Sequence, residues 1–130
     1  MLSIVGSIIS GVVGVAIIVI GARFLLAPRV AAAAYGVPVE GAGAQAPLSG
    51  VYPWLYVKGV RDIASGLFIF ILLAYRAPAL LAAFMAAASL IPVGDAVIVL
   101  RSGGRRAVAF GIHGATAAVM LAASAALFTA

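Results

Sequence analysis

Residues 52–76 read YPWLYVKGVRDIASGLFIFILLAYR. A run of about 20 largely apolar residues is long enough to cross a bilayer core as a helix. Yet Lys58, Arg61 and Asp62 fall within five positions near its start. Together with Ser65 they take positions i, i+3, i+4 and i+7, which share one face of a helix. Pro53 suits a first helical turn, where its missing N–H costs nothing. At 1.5 Å per residue, Arg61 and Asp62 would lie about 12–14 Å inside that start. Lysine can extend its stem back to the headgroups, but the short aspartate cannot. An isolated charge at this depth costs several kcal/mol, so partners on neighbouring helices are expected.

The rest of the chain asks for the same solvent. Of its 130 residues, 66% are hydrophobic and only 8% are charged, and mean hydropathy is +1.30. A soluble domain carries roughly 25% charged residues, so this composition predicts an integral membrane protein. Cysteine is absent, which excludes disulfides, thiolate metal sites and thiol nucleophiles. There is no nucleophile elbow, phosphate loop or set of histidines at metal-binding spacing. The lone histidine could ligate haem by itself, but the expectation is no cofactor and no metal. The net charge of +5 reflects where a few positives fall and does not point to nucleic acid.

Three further apolar segments flank the opening one, at about 2–27, 78–100 and 106–129. Barrel strands would need only about ten alternating residues, and backbone groups in lipid are satisfied within helices. The expected fold is therefore all-α: four transmembrane helices in one antiparallel up-down bundle spanning residues 1–130, with the tight links YRAP and RSGGRR joining neighbours. The first segment lacks a preceding Lys or Arg and is too long for a signal-peptide core, so it reads as an uncleaved span. Residues 28–52 form a long Pro/Gly/Ala-rich link, in which Arg29–Tyr35 could make a short interfacial helix.

Arg23, Arg29, Lys58, Arg61, Arg101, Arg105 and Arg106 gather on the side of the first and third links, against Arg76 alone on the other. The positive-inside rule then predicts a cell-membrane protein with both termini outside. Tyr35, Tyr52, Trp54 and Tyr56 fall on the basic side, as an interfacial aromatic belt would. Small residues recur every fourth position at Gly6, Ser10 and Gly14, and at Gly114, Ala118, Ala122 and Ala126, a pattern that lets helix backbones approach.

In that topology Asp95, His113 and Arg23 come to the same leaflet as Lys58, Arg61 and Asp62. Pro92 should bend the third helix, free a carbonyl near Ser89 and, with Gly94, open space beside Asp95. Each feature has a plain alternative: an i,i+4 ion pair, an interhelical salt bridge, a satisfied histidine, a packing kink. As a group they suggest a pocket, since buried charges weaken a fold more often than they help it. The candidate catalytic residues are Asp95, His113 and Asp62; the candidate binding residues are Lys58, Arg61, Trp54 and Tyr56.

The runs KGVRDIASG (58–66), PVGDAVIVLRSGG (92–104) and GIHGATAAVML (111–121) resemble the small four-helix membrane proteins of domain of unknown function 4267. The marks of the resemblance are Lys58, Gly59, Arg61, Asp62, Gly94, Asp95, His113 and Gly114, and it spans essentially the whole chain. It implies a fold and a shared pocket, but no reaction. Three functions are open. One is binding of, or acid–base chemistry on, a small lipophilic molecule, for instance by a cofactor-independent isomerase, cyclase or hydrolase. The second is a structural or accessory subunit. The third is proton-coupled transport, which the lack of a polar path to the outer side disfavours. Lipid is the expected partner, together with further copies of the chain.

Overall fold

The computed structural model describes residues 1–38 and 50–129, and every regular element in them is helical. The central part of the first link, residues 39–49, lies outside the described residues. Helix α1 runs Leu2–Leu26 and α2 Pro28–Tyr35; α3 is Tyr52–Ala74, α4 Pro78–Ala88 and α5 Leu90–Arg101. A short α6, Arg106–Val108, continues through a π turn, Ala109–Gly114, into α7, Ala115–Phe128.

Proline sets several of the starts. Pro28, Pro53 and Pro78 each sit in the first turn of their helices, where the fixed φ is already helical. Three runs are long and apolar enough to cross a membrane: Leu2–Leu26, Pro78–Arg101 and Arg106–Phe128. The chain is a multi-pass membrane protein. Helix α3 has the length but holds Lys58, Arg61 and Asp62, so length and composition alone do not class it with the other three.

Helices α1 and α3 meet backbone to backbone. A Cβ added at Gly21 would lie 2.6 Å from the Gly59 carbonyl oxygen, and one at Gly59 would lie 2.8 Å from that of Gly21. One turn pair further on, a Cβ at Gly66 would lie 2.7 Å from the Gly14 carbonyl oxygen. In both helices the two glycines are seven positions apart, so each pair returns to the same face. Gly6 packs against Leu127 and Ala123 of α7. The small stripe of α1 is thus used within the chain. That of α7 is not: Gly114, Ala118, Ala122 and Ala126 lie on its exposed or half-buried side, and Ala117, Met120, Ala123, Ser124 and Leu127 make the packed face. Val13, Ile69, Leu81, Met85 and Met120 form the main core cluster. The Ser124 hydroxyl donates to the Ala82 carbonyl at 2.8 Å, tying α7 to α4 inside this core.

The expected bend in the third apolar segment falls at Ser89, between α4 and α5. Val93 N–H bonds the Ser89 carbonyl at 3.2 Å. The carbonyl deprived of a donor by Pro92 is therefore that of Ala88, four residues back. Gly94 has open space where a Cβ would stand, so close packing does not require it.

Helix α2 turns back from α1 and ends at Gly36, whose φ of 91° is the left-handed conformation of a helix C-terminus. Its carbonyl abuts Gly104, where an added Cβ would also lie 2.8 Å from the Val99 carbonyl oxygen. Gly104→Ala should therefore undock the end of α2 and cost about 1–3 kcal/mol. Thermal unfolding in detergent measures this, and a wild-type Tm would show that α2 does not depend on that seat.

Candidate functional site

Between the helices lies a cavity of about 270 Å³. Its walls are mostly apolar, including Ile17, Ile69, Phe84, Ile91 and Met120. Polar groups from different elements line the remainder: Lys58, Asp62 and Ser65 from α3, Asp95 from α5, His113 from the π turn, Tyr35 from α2, Arg23 from α1 and Thr116 from α7.

Lys58 joins these groups. Its Nζ lies 3.0 and 3.3 Å from the two oxygens of Asp62, one helical turn further along α3. It lies 3.8 Å from Asp95 Oδ2 across the cavity. The ammonium also stands 5.2 Å from the centroid of the Phe24 ring and 5.0 Å from that of Tyr35, within cation–π range. These side chains are shielded without being sealed: 23% of Lys58, 13% of Asp62 and 17% of Asp95 remain accessible.

The tautomer of neutral His113 follows from its neighbours. Nε2 lies 3.0 Å from the Tyr35 main-chain carbonyl. A carbonyl only accepts, so Nε2 carries a proton and donates. Nδ1 then faces Asp95 Oδ2 at 3.8 Å, beyond a direct hydrogen bond. With the imidazole neutral, that nitrogen presents a lone pair to a carboxylate. The contact becomes attractive when a proton sits on either partner. The π turn is what aims this ring: its wider winding changes the register of the side chains that follow, and such turns recur at functional sites.

Tyr35 stacks edge-on against His113, with ring centroids 5.0 Å apart. Burial pushes its phenol far above the ordinary tyrosine range, and the negative charge of the nearby Asp95 adds to the shift. The hydroxyl therefore stays protonated. Thr116, a conceivable partner for His113, donates instead to the Ile112 carbonyl at 2.8 Å.

Of the residues singled out from sequence, Asp62, Asp95, His113 and Lys58 come together here. Arg61 does not: it is exposed on the outer side of α3, away from the cavity. Trp54, 74% exposed, and Tyr56 also lie outside it. Tyr52 stacks on Tyr56 at 6.1 Å and accepts from Arg29 Nε at 3.0 Å. Sequence reasoning placed Tyr35 in an aromatic belt, whereas it forms part of the cavity wall, and it overlooked Phe24. The signal for Tyr35 was local. Pro28 and Gly36 bracket a two-turn helix, and its Ala-rich sequence packs against a neighbour without bulky side chains. Among the described residues no cluster of His, Cys, Asp and Glu could hold a metal ion.

The profile of one family, domain of unknown function (DUF4267), matches residues 14–127. The chain belongs to this family. Searches of curated proteins and of solved structures return no match. In this DUF4267 chain the matched range contains every residue of the polar group, from Tyr35 to His113.

Proposed function

We propose that the chain crosses the cell membrane four times as an antiparallel bundle and that its cavity receives a small lipophilic molecule, on which the polar residues act by acid–base chemistry. The observation that carries this reading is the convergence of Lys58, Asp62, Asp95 and His113 at one apolar cavity. Charges are expensive at membrane depth and mark function by default, and small-molecule sites pair apolar walls with a few convergent polar groups. A volume of about 270 Å³ sits below the usual range of roughly 300–1,000 Å³, which argues for a compact ligand.

Helix α3 serves as the fourth span because Lys58 and Asp62 turn inward and neutralise one another. The meetings of Gly6 with Leu127 and of Gly21 with Gly59 support the antiparallel order. The bias of arginines towards the ends carrying Arg23, Arg29, Arg101, Arg105 and Arg106 supports a cytoplasmic position for that side and outer positions for both termini. Within the site His113 Nδ1 is the nitrogen free to exchange a proton, Asp95 is its acidic partner, and Lys58 holds the two carboxylates in place. Tyr35 orients His113 through its main-chain carbonyl. Isomerisation, cyclisation or hydrolysis of a lipophilic substrate fits such groups without a cofactor. The outward-facing small stripe of α7 leaves room for a second copy in the membrane.

A structural clasp is the second reading, favoured by the close Lys58–Asp62 pair. Native mass spectrometry with solvent extraction separates the two. The expected result is a discrete small molecule on the wild-type protein that is lost from Asp95→Ala and His113→Ala. Bulk lipid alone on the wild type, with variants that come apart, would establish the clasp instead.

A further inference from the structure

Resting on the reading of the cavity as a ligand site, we infer that its occupant is a small lipophilic amine bound in its protonated, ammonium form. The hydrogen-bonding groups that the polar residues have left decide what they can hold. Their donors are largely engaged. The Lys58 ammonium is held by Asp62 at 3.0 and 3.3 Å. The Nε2 proton of His113 goes to the Tyr35 carbonyl and the Thr116 hydroxyl to the Ile112 carbonyl.

Besides the neutral Ser65 and Tyr35 hydroxyls, which can donate or accept, and the exposed Arg23, what remains are acceptors: carboxylate lone pairs of Asp62 and Asp95, and Nδ1 of His113. An incoming hydroxyl or ammonium can donate to them, whereas a carboxylate, phosphate or carbonyl ligand would meet lone pairs with lone pairs.

Charge narrows the choice to a cation. Around the cavity, α3 contributes Lys58 and Asp62, α5 contributes Asp95, the π turn His113, α2 the neutral Tyr35 and α1 Arg23. Arg23 lines the cavity too, but it is an exposed residue with no carboxylate within 4.0 Å among the described residues; Lys58 is the cation set directly against the carboxylates. That leaves two carboxylates sharing one ammonium. A bound ammonium would add the missing positive charge, since it can donate to both Asp95 Oδ2 and His113 Nδ1, which lie 3.8 Å apart. The chain already supplies the pattern: Lys58 is a primary ammonium set against carboxylates and the faces of Phe24 and Tyr35. The apolar walls at Ile17, Ile69 and Met120 suit the hydrocarbon part.

The test titrates hexylamine, hexanol and hexanoate into the full-length protein in detergent by isothermal calorimetry, with empty micelles as the blank. Hexylamine is expected to bind about tenfold or more tightly than hexanol, and hexanoate not to bind. Asp95→Asn should weaken hexylamine by about tenfold or more. The selectivity series uses the wild-type protein and does not depend on that variant folding. Equal or tighter binding of hexanol or hexanoate overturns the amine assignment. So does failure of all three probes when the protein carries another small molecule that His113→Ala loses, although the ligand site then stands. Failure of the probes on a protein carrying only bulk lipid removes the amine and the site together.

Discussion

Replacing Lys58 with methionine is expected to destabilise the protein by about 3–5 kcal/mol at neutral pH, as removal of one partner from a buried ion pair does. The ammonium lies 3.0 Å from Asp62 and 3.8 Å from Asp95, so methionine leaves two carboxylates in an apolar cavity with no fixed cation between them. Methionine keeps most of the apolar stem, which isolates the loss of charge from a loss of packing. The size of the effect decides between two pictures. An ordinary exposed i,i+4 pair contributes about 0.3–0.5 kcal/mol, and a deficit that small would place Lys58 and Asp62 at the membrane surface. Lys58→Met combined with Asp62→Leu should recover most of the loss, because the double change removes one uncompensated carboxylate. Denaturation in mixed micelles measures both, and a double variant no more stable than the single one would mean that Lys58 acts by something other than its charge.

Gly21→Val is expected to cost at least about 3 kcal/mol, at or beyond the upper end of ordinary overpacking. The obstacle is the Gly59 carbonyl, 2.6 Å from where even a Cβ would sit, and a backbone atom cannot swing aside as a side chain can. The helices must separate, and that loosens the Gly66–Gly14 contact on the same seam. Gly59→Val should do comparable damage, and the two together should fall short of the sum, because the first already opens the interface. Gly11→Ala in the same helix is the control. Its Cβ would meet Leu73 at an ordinary 3.8 Å, and exchanging a helical glycine for alanine there should be neutral or stabilising by up to about 1 kcal/mol. Equal Tm shifts for Gly21→Val and Gly11→Ala would show that the seam does not hold α1 to α3.

Both predictions use features that differ in how far the sequence exposes them. Lys58, Asp62 and Ser65 share a face by spacing alone, and all three line the cavity. Arg61 is close to that face by the same count but turns outward. A position at the edge of a helical stripe is assigned by the neighbours it meets, not by its number. The glycine seam was written in the sequence as two pairs seven apart, Gly14 with Gly21 and Gly59 with Gly66. A search for small residues every fourth position finds the first stripe of α1 and passes over this one. On α7 the same search marks a face that the chain leaves outward.

Composition and periodicity by themselves determined that this chain dissolves in lipid and folds as helices, because 8% charged residues cannot cover a water-facing surface and lipid satisfies no backbone group. They also determined where helices begin, since proline removes a donor that a first turn does not need. Tertiary structure decided which side chains meet. Tyr35 becomes part of the cavity only because α2 turns back and its end seats against Gly104, a contact between residues far apart in the chain. His113 faces Asp95 only because a π turn changes the winding ahead of α7. Its neutral tautomer is set by a carbonyl 78 positions away. Such contacts depend on how helices stack and wind, and a sequence period records only what one helix presents.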